Sequence, residues 1–211
     1  MKTQGETPFL KVEMTEIILA SGSPRRKELL ARLGIQFRVQ SADVDENSTE
    51  PDPQTLVQFL ANKKAQAVSL LEPHSIILAA DTVVALEGQI LQKPVDTLEN
   101  AEFISKLSGV WHEVFTGVCI LTPTSKALGF ERTRVKFRQL LSAEILGYAN
   151  SGEGLDKAGG YGIQEMGMAL VEKLEGDYFN VVGLPIARML ELAHSLNLEL
   201  LPWVNQTVGV D

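Results

Sequence analysis

The sequence predicts a mixed α/β fold with a mostly elongated central sheet flanked by helices. Three observations predict it: β-branched apolar runs alternate with amphipathic segments of helical spacing, two of the runs have the pattern of an antiparallel strand pair, and 45% of the 211 residues are apolar. A chain of this size can bury a core without disulfide bonds. It suits one large domain or two small lobes that share a cleft.

The first element is a strand, a tight turn and a helix over residues 16–34. The run "TEIILAS" predicts the strand, and the following "SPRRKELLARLG" carries its leucines on one helical face. Ser23 suits the N-cap, Pro24 the first helical position and Gly34 the helix end. This stretch therefore predicts a β–turn–α unit.

The next segments continue the alternation. The stretch "IQFRVQSADVDE" alternates like a strand and leads into an acidic loop from Asp43 to Pro53. A helix is predicted from Gln54 to Leu71, and "SIILAADTVVAL" then predicts a buried strand that Asp81 interrupts.

A third helix and an antiparallel pair follow. The segment "TLENAEFISKLSG" predicts a helix with Thr97 as its cap and Gly109 at its end. The segments "HEVFTGVCILT" and "KALGFERTRVKFRQL" predict two antiparallel strands. The second strand alternates basic residues, which we interpret as a solvated sheet face: Arg132, Arg134, Lys136 and Arg138.

The last third of the chain is less regular. "SAEILGYANSGE" predicts a short helix, "GLDKAGGYGIQ" a glycine-rich loop, and "MALVEKLEG" a strand or a short helix. "LPIARMLELAHSLNL" predicts a closing amphipathic helix.

Charge and cysteine content limit the class of protein. The formal net charge is −8, which argues against a broad surface for a nucleic-acid polymer, so any anion site must be local. Cys119 is the single cysteine and lies in an apolar run, which predicts a buried thiol and suits a cytoplasmic location. Residues 1–15 have no continuous apolar core, so we expect an N-terminal extension and no membrane partner.

The turn before the first helix predicts an anion site. Arg25 and Arg26 stand where the helix dipole is already positive, which is unfavourable unless an anion offsets them. Small residues there allow close backbone approach to a phosphate, although the pattern is not a Walker loop. The alternative is a capped helix with two solvated arginines. Further local cations are Lys27, Lys63, Lys64, Lys93 and Lys157.

Two carboxylates are candidates for chemistry. Asp81 breaks a buried strand, so it must be paired, bind a metal or face a cleft; the alternative is a hydrogen-bonded turn residue. Glu46 adds a second carboxylate, although an acidic loop residue is more often only solvated. With no His/Cys metal spacing, a hard cation held by carboxylates and phosphates is the metal to expect.

The glycine-rich loop and one histidine are weaker candidates. The glycines of "DKAGGYGIQ" bring backbone close to another group, and the amide of Gln164 can read a uracil or thymine edge or simply be a loop residue. His112 is more often a packed, hydrogen-bonded residue than a catalyst.

Six segments in this order resemble the Maf family of nucleoside triphosphate pyrophosphatases, over roughly residues 16–198. They are "LASGSPRRKELL", "LAADTVVAL", "LQKPVD", "LSGVWHEVFTGV", "SGEGLDKAGGYGIQ" and "GDYFNVVGLP". The resemblance implies an enzyme that cleaves a nucleoside triphosphate between the α and β phosphates with a divalent cation, Mg²⁺ or Mn²⁺. It also implies two lobes with a deep cleft, as in inosine triphosphatase-like folds, and a frequent homodimer.

The resemblance also assigns residues. Asp81 matches the catalytic aspartate, and Glu46 matches an acidic position of the metal site, which Asp81 would share. The positions expected around the triphosphate are Ser21, Arg25, Arg26, Lys64, Lys93 and Lys157. The resemblance implies one domain over residues 16–201, followed by a C-terminal tail over residues 202–211.

Base preference separates the branches of the family. Arg25, Thr82 and Gln164 are similar to the set of the dTTP/UTP branch, whereas the branch acting on 7-methyl-GTP has a tryptophan and an acidic residue at the first and last of these positions. Val110 and Phe59 each replace a residue that is often basic in the family. The implied role is removal of unwanted nucleotides, with a link to cell-division arrest; the alternative is a nucleotide-sensing regulator without significant turnover.

Overall fold

A computed structural model describes residues 16–41, 43–46 and 48–204. Its seven strands form one mixed sheet in the order β2-β1-β3-β5-β6-β7, with β4 paired to β3. The strands are β1 Ile17–Leu19, β2 Arg38–Val39, β3 Ile76–Leu86, β4 Gln89–Leu91, β5 Trp111–Leu121, β6 Lys126–Phe137 and β7 Val171–Glu175. The helices are α1 Pro24–Arg32, α2 Pro53–Ser69, α3 Thr97–Leu107, α4 Ser142–Asn150, α5 Tyr178–Val182 and α6 Ile186–Ser195. The predicted mixed α/β class is confirmed.

The long strands are those that the apolar runs predict. β3 pairs antiparallel with β5, and β5 pairs antiparallel with β6 along its whole length, which confirms the predicted strand pair. β1 is parallel to both β2 and β3. Because β3 is buried on both faces, its sequence is a nearly continuous apolar run.

Several predicted details are wrong. The cap of α3 is Asp96, whose carboxylate accepts from the backbone N–H of Glu99, so Thr97 is already the first helical residue. Ser23 is at the N-cap of α1, but its side chain makes no capping hydrogen bond to the described helix. In place of the longer strand predicted after Gly34, the structure has only the two exposed residues of β2. β2 lies at the edge of the sheet, where strands are often short.

Other elements were ambiguous or missed. The stretch predicted as strand or short helix contains both, a 3₁₀ turn at Met166–Leu170 and then β7. The short elements β4 and α5 have too few residues to show a period. Cys119 is fully buried, as predicted, and burial raises the pKa of its thiol to about 11.

Two of the four hydrophobic clusters formed by the described residues lie at opposite ends of the long strands. One packs β1, α1 and α6 around residues such as Leu19, Leu30 and Met189. The other packs α3 and α4 around residues such as Ile104 and Phe137. The sheet therefore carries two lobes, as expected.

The cleft opens where the strands along one side of β3 are interrupted. β1 pairs with residues 76–78 of β3 and β4 pairs with residues 84–86, so in the described sheet residues 79–83 have a strand partner on the β5 side only. Turns that follow β1 and β4 line this gap. The topology thus places Asp81 in the middle of an opening, where α/β sheets commonly bind ligands.

The described residues include only part of the two chain ends that the sequence analysis predicts. The predicted N-terminal extension, residues 1–15, lies outside the described residues, and of the predicted tail only residues 202–204 are described. Within the described ranges, no helix has both the length and the apolar character needed to cross a membrane.

Candidate active site

A cleft of about 660 Å³ is lined by all ten residues that the family resemblance assigns to the site, whereas Lys27, Lys63 and His112 lie outside its lining. Its lining includes Ser21, Arg25, Arg26, Glu46, Lys64, Asp81, Thr82, Lys93, Lys157 and Gln164. These residues come from six separate stretches of the chain, so their convergence is a property of the fold rather than of sequence proximity.

Arg26 is held inside the wall of the cleft. Its Nε donates to the carbonyl oxygen of Gly183 at 2.7 Å, and its two terminal nitrogens donate to the hydroxyls of Ser21 and Thr82, each at 3.0 Å. Burial lowers the pKa of the guanidinium below its ordinary value, which the charge of Asp81 partly offsets. The acceptors on Arg26 are neutral, so these hydrogen bonds do not neutralise its positive charge.

Asp81 and Glu46 both bind Lys64. The Nζ atom of Lys64 donates to Oδ1 of Asp81 at 2.6 Å and lies 2.8 Å from Oε1 of Glu46. The Lys64 and Asp81 side chains are only 14% and 9% exposed, so this pair is little screened by water. Burial opposes the ionisation of Glu46, but the hydrogen bond and charge of Lys64 outweigh it and lower the pKa of this carboxyl.

Helix α2 brings Lys64 to Asp81 because a glycine lets it approach the sheet. Gly117 is the β5 partner of Asp81, and a Cβ at Gly117 would lie 2.2 Å from the carbonyl oxygen of Val57 in α2. No larger residue fits there, so the helix backbone rests directly on the strand. Lys64, two turns further along α2, then reaches the carboxylate.

The cleft lining also includes Asp156, a charged residue that the sequence analysis did not single out. Asp156 accepts from Lys157 at 2.6 Å and lies 3.9 Å from a terminal nitrogen of Arg25. The Lys157 ammonium also donates to the carbonyl oxygen of Glu153. Asp156 directly precedes Lys157 in the segment "SGEGLDKAGGYGIQ", so a carboxylate next to a lysine was the available sequence signal.

The glycine-rich loop is shaped by close contacts. Gly159 has φ of 67°, and a Cβ there would lie 2.7 Å from the side chain of Val84. The buried side chain of Asn100 donates to the carbonyl oxygen of Gly160 at 2.7 Å. These contacts fix the loop against β3 and place the half-buried Gln164 in the cleft wall.

His112 supports the loop rather than lining the cleft. Its Nε2 lies 2.7 Å from the hydroxyl of Tyr161, which does line the cleft, and its ring packs edge-on against Phe137. Burial lowers the pKa of His112 to about 4, so the ring is neutral at pH 7. The prediction of a packed, hydrogen-bonded histidine is confirmed.

The carboxylates fit one mode of divalent cation binding. No cluster of three His, Cys, Asp or Glu side chains with metal-binding geometry occurs in the described part of the chain. Asp81 and Glu46 nevertheless converge on one cationic centre, the Lys64 ammonium. Mg²⁺ is commonly bound by one or two carboxylates together with substrate phosphates and water, so this donor set fits a cation that arrives with a triphosphate.

Comparisons with known proteins identify the family of this chain. The family model described as "Maf-like protein" matches residues 16–196. A dTTP/UTP pyrophosphatase of Deinococcus radiodurans is 54% identical over 176 residues, which are 83% of this chain and 90% of that protein. A dTTP/UTP pyrophosphatase of Thermus thermophilus is 48% identical over 176 residues, 83% of this chain and 92% of that protein.

A solved structure shows a more distant likeness. The nucleoside-triphosphatase, or dITP/XTP pyrophosphatase, of Mycobacterium abscessus aligns with a TM-score of 0.42 and 16% identity, over 60% of this chain and 76% of that one.

Proposed function

This chain belongs to the Maf family, and we propose that it hydrolyses nucleoside triphosphates, dTTP and UTP in particular, to the monophosphate and pyrophosphate. The observation that carries the proposal is the Asp81–Lys64–Glu46 group at the base of a cleft whose wall holds Arg25, Arg26 and further cations. A carboxylate that can handle water thus lies beside positive charge that can bind phosphates.

The cations of the cleft bind the phosphate chain in this proposal. A triphosphate carries several negative charges, and charge on the leaving pyrophosphate grows as the anhydride bond breaks. Positive groups already fixed in position stabilise that charge without having to reorganise. The cations we assign to this role are Arg25, Arg26, Lys64, Lys93 and Lys157, and we add Ser21 as a neutral phosphate-binding group beside Arg26.

Asp81 acts on the attacking water. Water adds across the α–β phosphoanhydride bond, which breaks to give the nucleoside monophosphate and pyrophosphate. Asp81 orients that water and accepts its proton, while Lys64, whose Nζ donates to Oδ1 of Asp81 at 2.6 Å, keeps the carboxylate oriented. Asp81 and Glu46 would hold the divalent cation, Mg²⁺ or Mn²⁺, which when bound neutralises phosphate charge and makes the water more acidic.

Gln164 reads the base. Its amide can donate and accept at once, which matches the O2, N3–H and O4 edge shared by uracil and thymine. Arg25, in the first turn of α1, also lines the cleft, and its guanidinium lies 3.9 Å from Asp156. The homodimer stays a prediction of the family resemblance, and the cytoplasmic location stays a prediction from the cysteine content and the composition of residues 1–15.

The test is release of pyrophosphate from UTP by the purified chain with Mg²⁺ or Mn²⁺. We expect steady turnover in the wild type and a fall of about a hundredfold or more in kcat for Asp81→Asn. Asp52→Asn is the matched control, because Asp52 caps α2 outside the cleft and asparagine caps equally well.

Two results would contradict the proposal. A wild type that binds UTP but releases no pyrophosphate would be the nucleotide-sensing regulator instead. An Asp81→Asn variant with most of the wild-type rate would remove Asp81 from the chemistry. Thermal unfolding of both variants checks that lost activity is not lost folding.

A further inference from the structure

The side chain of Glu153 holds one end of the loop that carries Gln164. Glu153 follows α4, is half-buried and lies outside the cleft lining. Its Oε2 accepts from the backbone N–H of Met166 at 2.8 Å, and its Oε1 accepts from that of Gly167 at 3.0 Å. One carboxylate therefore binds the two successive N–H groups that begin the 3₁₀ turn Met166–Leu170.

The hydroxyl of Tyr148 joins this carboxylate to the other end of the loop. Tyr148 is a buried residue of α4, and its hydroxyl donates to Oε1 of Glu153 at 3.1 Å. The same hydroxyl accepts from the backbone N–H of Gly162 at 3.3 Å. A hydroxyl can donate once and still accept, so Tyr148 makes both bonds together. The two side chains thus bind both ends of the loop and each other.

The two ends of this loop also touch directly. A Cβ built on Gly167 would collide with the carbonyl oxygen of Gly162, so only glycine allows the backbone to come this close. Residues 162–167, which we call the Gln164 loop, therefore form a turn that is closed at its base. Its middle places Gln164 in the cleft lining. A short loop with fixed ends has few conformations, so the position of Gln164 depends on how these ends are held.

We propose that Glu153 is a positioning residue for base selection: with Tyr148, its carboxylate fixes the Gln164 loop that presents Gln164 to the base. This inference rests on the proposed function, in which Gln164 reads the base. Lys157 donates to the backbone carbonyl oxygen of Glu153, an acceptor that remains when the side chain is changed. Loss of the carboxylate therefore disturbs the choice of base and leaves the binding of phosphates in place.

Glu153→Gln keeps the shape of the side chain and removes one of its acceptors. The amide nitrogen can only donate, so one of the two backbone N–H groups faces a donor. The probes are UTP and CTP analogues with an imido group in place of the α–β bridging oxygen, which blocks cleavage of that bond. By titration calorimetry we expect the ratio of their affinities to fall about fivefold.

Inorganic tripolyphosphate is the second probe, because it carries the phosphate charges and no base. We expect its affinity for Glu153→Gln to stay within about twofold of the wild-type value, since a charge change outside the cleft lining is screened by salt. A residue that served only the stability of the fold would change the binding of all three probes alike. The split between base and phosphate is therefore specific to a positioning role.

Glu165→Gln is the matched control. Glu165 is exposed, stands next to Gln164, and its side chain makes no capping hydrogen bond to the described 3₁₀ turn, so the variant removes the same charge from the Gln164 loop. Its analogue ratio should equal that of the wild type. Tyr148→Phe removes only the hydroxyl and should lower the ratio, with little further loss when combined with Glu153→Gln, because both act on one loop. Thermal unfolding checks each variant, and Tyr148→Phe tests the proposal even where Glu153→Gln does not fold.

Three results would overturn the inference. The first is an unchanged analogue ratio in the folded Glu153→Gln or Tyr148→Phe variant. The second is an equal loss of affinity for tripolyphosphate and both analogues, which would mean general damage to the cleft. The third is the same fall in Glu165→Gln, which would assign the effect to charge.

Gln164→Ala separates this inference from the proposed function. A wild-type ratio in Gln164→Ala, or a wild type that does not distinguish the analogues, would refute the base-reading role and this inference with it. A lowered ratio in Gln164→Ala with an unchanged ratio in Glu153→Gln would refute this inference alone. Because the analogues are not cleaved, a wild type that distinguishes them but releases no pyrophosphate from UTP would refute the proposed activity and leave this inference standing.

Discussion

The cleft and the outer face of β6 both concentrate basic residues, but their partners differ. On β6, Arg132, Arg134 and Lys136 each face a glutamate on a neighbouring strand at 2.7–3.2 Å, with water around them. In the cleft, Arg26 is buried and donates to neutral acceptors. Lys64 binds two carboxylates, and its own side chain is only 14% exposed.

The difference shows which positive charges are available to a ligand. A surface ion pair contributes little to stability, because water competes with it. The basic side chains of β6 are already paired with glutamates, so a further anion stabilises them little. A buried cation with neutral partners gains much more from an arriving anion, because the dielectric screening there is low. The same residue types therefore serve solubility in one region and recognition in the other.

Removing Lys64 should have the largest effect on this comparison. Lys64→Gln leaves Asp81 and Glu46 without the ammonium between them and loses two charge-assisted contacts at once. We expect kcat for UTP to fall by about a hundredfold. Lys136→Gln is the matched change on β6 and should leave kcat within about twofold of wild type. Equal losses in the two variants would end the distinction between the regions.

Arg25 and Lys93 test whether the cleft cations contact phosphates. We expect Arg25→Ala and Lys93→Ala to weaken UTP binding by about tenfold or more, since a charge-assisted contact contributes about 1.5–3 kcal/mol, and to weaken UMP binding much less. Titration calorimetry with both nucleotides measures this, with Arg134→Ala as the control. Equal losses for UTP and UMP would place these two residues away from the β and γ phosphates.

The sequence predicted the long elements from local signals, and the family resemblance named the residues that line the cleft. β3 is an apolar run with one carboxylate, and Arg25 with Arg26 marks a helix start. It could not predict that Arg26 turns inward or that Lys64 joins two carboxylates. The position of Lys64 depends on Gly117, whose missing side chain lets the backbone of α2 approach β5. The position of Arg26 depends on Gly183, which has a φ of 117° and whose carbonyl oxygen accepts from Arg26.

The hydrogen bonds that join β3, β5 and α5 show the same limit. Thr82, Thr116 and Asn180 are separated by more than thirty residues at each step and have no common pattern in the sequence. Their contact follows from the pairing of β3 with β5 and from the turn of α5 on the sheet. Strand register, rather than composition, decides that these polar groups meet.

The variant Gln164→Glu tests whether positive charge alone explains which nucleotides the cleft binds. A carboxylate can only accept, so it loses the donor that a uracil or thymine carbonyl needs, and we expect kcat/KM for dTTP and UTP to fall by about tenfold. Gln89→Glu makes the same charge change at an exposed position of β4 and should leave kcat/KM unchanged. Competition among dTTP, UTP, CTP, GTP and 7-methyl-GTP gives the ranking. A wild type that prefers a purine would refute the base-reading role of Gln164.

Arg134→Ala should have the smallest effect and completes the comparison from the other side. Arg134 pairs with Glu175 at 2.7 Å and lies over the ring of Trp111, 4.5 Å from its centroid, yet its side chain is 45% exposed. We expect the free energy of unfolding in urea to fall by about 1 kcal/mol or less, through the cation–π contact more than the screened ion pair. High salt should leave most of this loss in place, because the cation–π contact includes packing that salt does not screen. KM for UTP should not change; a rise comparable to that of Arg25→Ala would mean that the β6 face also binds the nucleotide.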